Sequence, residues 1–253
     1  MIVTFLGTGT SQGVPVIACD CEVCTSTNKH DKRLRTSILI QSNDKTIVVD
    51  SGPDFRYQML RANVKHLDAI VFTHEHKDHI AGMDDIRGFN FKQRGPVDVY
   101  ADTRVQHALR REFSYIFTDK SYPGLPQINL HTIDLTPFNI GSVPFTPIEV
   151  MHYKLPVLGF RINDFTYITD AKTVSDVEKE KIYGSKTLVI NALQKEMHIS
   201  HLTLDEAVSF AQDINAKKTY FTHISHRLGK HADIARELPA GIELAYDGLV
   251  LEI

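Results

Sequence analysis

An α/β fold of four layers, an αββα sandwich with helices outside two facing sheets, is what this 253-residue sequence predicts, on three observations. Short apolar runs of strand length alternate with stretches of helical spacing in both halves of the chain, the pattern of helices packed on sheets. A cluster of potential metal ligands, His74-Glu75-His76-Lys77-Asp78-His79, falls on one strand-to-helix turn, where side chains can converge. Hydrophobic residues make up 42% of the chain, ample for a core, and no Pro/Gly/Ser-rich linker or fixed-period repeat divides it. Residues 1–253 are therefore expected to form a single domain.

Residues 2–6 read as an opening strand, followed by the glycine-rich turn Gly7-Thr8-Gly9-Thr10-Ser11-Gln12-Gly13. That turn lacks the Gly-Lys-Ser/Thr ending of a nucleotide loop, and no clear helix follows, so it reads as structural. Cys19-Asp20-Cys21-Glu22-Val23-Cys24 places three thiols on a loop, enough to hold zinc if a fourth ligand arrives from elsewhere. Lys29, Lys32, Arg33 and Arg35 form a basic cluster, by default a solvated face, ahead of a strand at 37–41. A strand at 46–50 ends in Asp50-Ser51-Gly52. Residues 54–62 and 103–116 have amphipathic helical spacing, with a strand at 97–101 between them, and 117–127 is a loop long enough to overhang a site. In the second half, a strand at 145–151 leads to His152 and a hairpin of 158–162 and 165–169 leads to Asp170. A helix at 175–182, a strand at 187–191, a helix at 204–214 and a strand at 218–222 follow, the last ending at His223. Thr203 caps the second of these helices, with Glu206 three residues on.

Residues 67–72 are an apolar run that delivers His74, His76, Asp78 and His79 at its carboxyl end. Three histidines and a carboxylate so close together would bury too many polar groups for packing alone to offset. At this His-x-His-x-Asp-His stretch the chain resembles the metallo-β-lactamase-fold hydrolases, whose later ligands come singly from separate loops. The resemblance runs along essentially the whole chain. It implies one ion on His74, His76 and His152, a second on Asp78, His79 and His223, and Asp170 bridging them. It also implies that Asp50 accepts a hydrogen bond from a ligand histidine and so fixes its tautomer. Redox members with a di-iron centre carry glutamate where this chain has His76, which favours hydrolysis.

Within that family the cysteine cluster resembles the one in the cyclic phosphodiesterases of the carbon–phosphorus lyase pathway. There the thiols join a histidine three positions past the last active-site histidine, here His226, so the resemblance implies a structural Zn²⁺ on Cys19, Cys21, Cys24 and His226. His201, in His201-Leu202-Thr203-Leu204-Asp205-Glu206-Ala207, matches a catalytic non-ligand histidine and is the expected general acid, with Asp78 counted as catalytic as well as a ligand. Lys154 and, from the basic cluster, Arg35 are the expected contacts to substrate phosphate. Ala245-Tyr246-Asp247-Gly248 is shared with the tRNA 3′-processing endonucleases of the same fold, and Asp247 reads as structural.

The function these readings imply is hydrolysis of a small cyclic phosphodiester, such as 5-phosphoribosyl 1,2-cyclic phosphate, by two divalent ions, Mn²⁺ or Zn²⁺. A tRNA-processing endonuclease is the rival reading. Against it stand the cysteine cluster and the lack of a clear basic arm, and a formal charge of −3 gives no general attraction for nucleic acid. A non-catalytic metal-stabilised binding protein is the third. The expected partner is the small substrate, a homodimer is left open, and no membrane is involved: no apolar run approaches spanning length and the first residues lack a signal-peptide pattern. A cytoplasmic location follows from that reading, and three clustered cysteines suit a reducing compartment.

Overall fold

The computed structural model describes residues 1–42, 45–118 and 124–253. Two mixed sheets of seven strands face each other with helices outside, the predicted sandwich. The first sheet holds β1 (Ile2–Gly7), β2 (Ser37–Ser42), β3 (Lys45–Val49), β4 (Ala69–Val71), β5 (Val97–Ala101) and β6 (Ile128–Thr132). The second holds β7 (Phe138–Ile140), β8 (Val143–His152), β9 (Leu155–Ile162), β10 (Phe165–Tyr167), β11 (Thr187–Asn191), β12 (Lys218–Thr222) and β13 (Ile242–Leu244). A last strand, β14 (Val250–Glu252), returns to the first sheet and pairs antiparallel with β1. In each sheet the earlier strands pair antiparallel and the later ones, β3 to β6 and β10 to β13, pair parallel.

Strand sequences that alternate between two buried faces read as continuous apolar runs, which is why these strands were legible. Ile38, Ile40, Ile47 and Val49 point between the sheets, where they meet Phe145, Phe160, Phe165 and Tyr167. Leu39 and Val48 point the other way, under α1 (Phe55–Arg61), and Phe72 packs in that layer beside α2 (Lys77–Ile80) and α3 (Arg87–Gln93). The helix α4 (Thr103–Glu112) completes that layer through Val105, Ala108 and Leu109. On the far side α5 (Asp176–Ile182), α6 (Leu204–Ile214) and α7 (His231–Glu237) cover Ile148, Val150, Ile168 and Ile190. The expected cap of α6 is a full capping box: Thr203 Oγ1 accepts from the Glu206 amide, and the Glu206 carboxylate accepts from the Thr203 amide.

The helix expected at 103–116 is shorter, because the chain breaks at Phe113 and continues as a 3₁₀ turn over Ser114–Phe117. Of the loop at 117–127, residues 119–123 lie outside the described residues. Among the described residues no helix is long and apolar enough to cross a membrane.

Candidate metal centre and active site

The strand ends that carry the candidate ligands all open on one edge of the sandwich. Asp50 follows β3, His74 lies three residues past β4, His152 ends β8, Asp170 lies three past β10 and His223 follows β12. Two backbone features pull these ends together. A Cβ on Gly52 would lie 2.0 Å from the Asp78 carbonyl oxygen, and one on Gly82 would lie 2.1 Å from the Gly52 carbonyl oxygen, so only glycine admits the approach of the motif turn to the β3 loop. Asp50, Asp170 and His223 each take a left-handed backbone, with φ of 65°, 58° and 54°, which turns the chain sharply where it leaves the strand.

The centre so formed is dense with imidazoles and carboxylates. Asp170 lies at its middle: one carboxylate oxygen is 3.3 Å from His79 Nε2, and the other is 3.3 Å from His223 Nε2, 4.0 Å from His74 Nε2 and 3.9 Å from His201 Nδ1. Asp78 reaches His79 Nε2 at 3.2 Å and His223 Nε2 at 3.7 Å. His76 Nδ1 is 3.1 Å from His74 Nε2, and the His152 ring packs edge-on against His76 and His201, with centroids 5.2 Å and 4.5 Å away. All seven expected active-centre ligands are therefore gathered in one place. The donors that converge most closely group as His74, His79 and Asp170, as Asp78, His79 and His223, and as His152, Asp170 and His201, so Asp170 is shared, but His74, His76 and His152 do not close into one set as the resemblance implied.

The far nitrogens show what orients the rings. His79 Nδ1 donates to Asp50 Oδ2 at 2.7 Å, and Asp50 also accepts from the Thr73 amide and hydroxyl at 2.9 Å and 2.8 Å. Asp50 thus accepts a hydrogen bond from a histidine of the motif. His74 Nδ1 pairs with Thr73 Oγ1 at 3.0 Å, and His152 Nδ1 meets the Ser200 and Asp170 carbonyl oxygens at 2.9 Å and 3.1 Å. With its Nδ1 proton on Asp50, His79 turns the lone pair of Nε2 toward two carboxylate oxygens. That face-to-face arrangement needs a cation or a second proton between the groups.

A cation fits. Metal–nitrogen and metal–oxygen bonds of about 2.0–2.2 Å at angles of 90–110° put N and O about 2.9–3.5 Å apart, the range of the His79–Asp78, His79–Asp170 and His223–Asp170 distances. Without an ion the proton fills the role: burial alone would lower the His79 pKa, but Asp78, Asp50 and Asp170 hold it well above the ordinary histidine value. Burial would by itself raise the Asp170 carboxyl, yet the His223 and His79 imidazoles hold it well below the usual carboxylate range. Burial pushes His74 well down and His152 down, leaving neutral lone pairs of the kind a metal takes. His79 Nε2 and His223 Nε2 are buried without a hydrogen-bond partner, as open ligand positions would be, and His201 Nδ1 is buried and unpartnered beside them.

His201 is 7% exposed and stacks on His223, with ring centroids 4.8 Å apart. Burial, with His223 beside it, pushes its pKa down to about 2. His198 packs next to it, at 5.1 Å between centroids. Lys154 is exposed in the β8–β9 turn with its ammonium 5.3 Å from the Tyr153 ring centroid. Arg35 is engaged already: it pairs with Asp54 at 3.2 Å and donates to the Ser11 carbonyl oxygen.

The basic cluster is not the solvated face expected by default, since part of it is buried or tied to backbone. Arg33 is 4% exposed and donates to Thr8 Oγ1 and the Ala245 carbonyl oxygen, and Lys32 donates to the Cys24 carbonyl oxygen. Both clamp chain segments together. Asp247 is structural, accepting from Thr8 Oγ1 and the Leu34 amide at 2.8 Å each. Thr73 and Thr169 were not expected at the site. Thr169 Oγ1 donates to Asp170 at 2.6 Å, and a threonine directly precedes a ligand at Thr73, Thr169 and Thr222, a repetition visible in the sequence.

The cysteine cluster forms a second set of donors. Cys19, Cys21 and Cys24 Sγ lie 3.3, 3.3 and 3.5 Å from His226 Nδ1. Zinc bonds of about 2.3 Å to sulfur and 2.0–2.1 Å to nitrogen, at tetrahedral angles, require about 3.5 Å. The Cys24 amide donates to Cys21 Sγ at 3.4 Å and pulls that thiol down to about 6, while burial pushes Cys24 up to about 11.

Comparison with known proteins agrees with this architecture. The family described as the β-lactamase superfamily domain matches residues 45–224. A crystal structure described as a new diphosphatase from the PhnP family is 41% identical, covers 100% of this chain and 97% of that one, and superposes with a TM-score of 0.94. Zn²⁺-bound PqqB from Methylobacterium extorquens, at 16% identity with 100% of both chains covered, shares the fold at a TM-score of 0.81. An octanoyltransferase of Porphyromonas gingivalis is 38% identical over 248 residues, 96% of this chain but 50% of that protein, so the chain spans about half the length of this relative.

Proposed function

The chain belongs to the β-lactamase superfamily and, within it, to the PhnP family, and on that premise we propose that it is a dinuclear metal-dependent phosphodiesterase acting on a small phosphodiester such as 5-phosphoribosyl 1,2-cyclic phosphate. The observation that carries the proposal is the position of Asp170, a single carboxylate within 3.3–4.0 Å of imidazoles from both ligand sets. His74, His76 and His152 would hold one Mn²⁺ or Zn²⁺ and Asp78, His79 and His223 the other, with Asp170 shared, while Cys19, Cys21, Cys24 and His226 would hold a structural Zn²⁺. Bound there, two such ions lower the pKa of water and neutralise charge developing on phosphoryl oxygens. Asp50 and Thr73 keep the rings of His79 and His74 aimed at the centre.

His201 would hand a proton to the leaving alkoxide, a role supported by its unpartnered Nδ1 3.9 Å from Asp170. In the free protein burial and the neighbouring His223 push the His201 pKa down to about 2, so the imidazole is neutral. An arriving phosphate anion stabilises the imidazolium, so substrate and acid form are taken up together. Lys154, exposed beside His152, is free to meet a phosphate at the mouth, whereas Arg35 would first have to leave Asp54.

A diphosphate is the second reading, favoured by the diphosphatase description of the 41% identical relative. The octanoyltransferase is about twice as long as this chain, so its activity is not carried over. The test is a hydrolysis panel of 5-phosphoribosyl 1,2-cyclic phosphate, 2′,3′-cyclic nucleotides, a diphosphate ester, an aryl phosphodiester and a precursor tRNA, with Asp170→Ala beside wild type. Cyclic phosphate hydrolysis that vanishes in Asp170→Ala is expected. Turnover of tRNA alone, or undiminished turnover by the variant, would overturn the proposal.

A further inference from the structure

The ligand imidazoles differ in what holds the nitrogen that faces away from the centre. His79 has Asp50, His74 has Thr73 and His152 has the Ser200 carbonyl oxygen. His223 has nothing: its Nδ1 is buried without a hydrogen-bond partner. A ligand histidine without that support ordinarily loses orientation, because a second hydrogen bond is what fixes ring and tautomer. Something else must hold His223.

The backbone around it points to what that is. His223 sits in the left-handed region, and Ile224 is stitched on both sides to the chain's first turn: its amide donates to the Thr8 carbonyl oxygen at 2.9 Å, and its carbonyl accepts from the Thr10 amide at 3.1 Å. Thr8–Thr10 is the lead-in to the loop that carries Cys19, Cys21 and Cys24. Two residues after Ile224 the same strand end delivers His226 into those three thiols, at 3.3–3.5 Å. The peptide carrying His223 is therefore gripped on one side by the start of the cysteine loop and on the other by its end.

We infer that the Cys19, Cys21, Cys24 and His226 cluster, with zinc in it, is the positioning device for His223: closing the thiolate site sets the peptide that aims His223 at the second active-centre ion, so filling of the two sites is coupled. His226 is on this account a positioning residue for a centre it does not touch. The inference rests on the reading of both clusters as metal sites.

The test compares wild type, His226→Ala and His226→Cys, using Mn²⁺ to fill the active centre because that hard ion competes poorly for thiolates. Zinc content is measured by mass spectrometry and Mn²⁺ affinity by competition with a chelator. His226→Ala is expected to lose zinc and to bind the second Mn²⁺ about 10–100-fold more weakly, the usual effect of removing outer support from a ligand, with the first Mn²⁺ unaffected. His226→Cys, which restores a fourth zinc ligand, should recover both. A folded, zinc-free His226→Ala that binds both Mn²⁺ ions as wild type does would overturn the coupling.

Because His226→Ala can fail to fold, the same coupling is also read in the wild type. Coupling is reciprocal, so Mn²⁺ at the centre should raise the affinity of the cysteine cluster for zinc, read by competition with a zinc-selective chelator, about tenfold or more. Equal zinc affinities with and without Mn²⁺ would overturn it. Wild type that holds no zinc would instead overturn the metal reading of the cysteine cluster, so the two failures are told apart.

Discussion

Replacing His201 separates proton donation from metal binding. The residue lies outside both proposed ligand sets, and its Nδ1 is 3.9 Å from Asp170. General acids contribute about 10²–10⁴-fold, and the benefit grows with the basicity of the leaving group. A sugar alkoxide needs the proton, while nitrophenolate leaves without it. His201→Ala should therefore slow hydrolysis of the ribosyl cyclic phosphate by about 10²–10⁴-fold and that of bis-nitrophenyl phosphate by less than about tenfold. The side chain is 7% exposed, so alanine also leaves a void beside His152 and His223, and His201→Gln is the companion that keeps most of the volume. The assay is steady-state turnover on both substrates, with metal counted in every preparation. Equal losses on both substrates at full metal occupancy would refute proton donation and make His201 a phosphate-positioning group. A variant short of one ion would make it a ligand, which its closeness to His152 and Asp170 permits.

Two further outcomes follow from the same geometry. His79 is protonated in the metal-free centre, because its folded pKa is raised well above the ordinary value. Ion uptake near neutral pH must therefore expel a proton, and affinity should rise as pH rises toward that pKa; calorimetric enthalpies identical in buffers of different ionisation heat would contradict this. Gly82→Ala should destabilise by about 1–3 kcal/mol or more, since the added carbon would meet the Gly52 carbonyl oxygen at 2.1 Å and neither backbone can yield without moving Asp78, and an unchanged melting temperature would show that the turn relaxes freely.

What was readable in the sequence is what is local. The His-x-His-x-Asp-His turn declares itself because its donors lie within six positions, whereas His152, Asp170 and His223 each stand alone just past a β-rich run and were singled out through the family resemblance. The fate of the basic cluster was not local. Arg33 finds the Ala245 carbonyl oxygen more than two hundred residues away, and no charge count along the chain signals that a cation will be buried. The strands β6, β7, β13 and β14 went unassigned for a related reason. Three of them are only three residues long, all are edge strands or their neighbours, and partial burial weakens their alternation. The tethering of Arg35 to Asp54 likewise depends on a helix start that brings the carboxylate back beside the strand.

The left-handed backbone at Asp50, Asp170 and His223 bears on which sequences can replace this one. A side chain with a Cβ in that region costs roughly 1–2 kcal/mol, least for asparagine and aspartate and most for β-branched residues. Drift at these positions is therefore filtered twice, by chemistry and by backbone. The cheapest departure conformationally, aspartate to asparagine, keeps the turn while removing the charge. Chains of this fold that have shed the metal should accordingly be found with asparagine at the positions of Asp50 and Asp170 far more often than with valine or threonine, their architecture outlasting their activity.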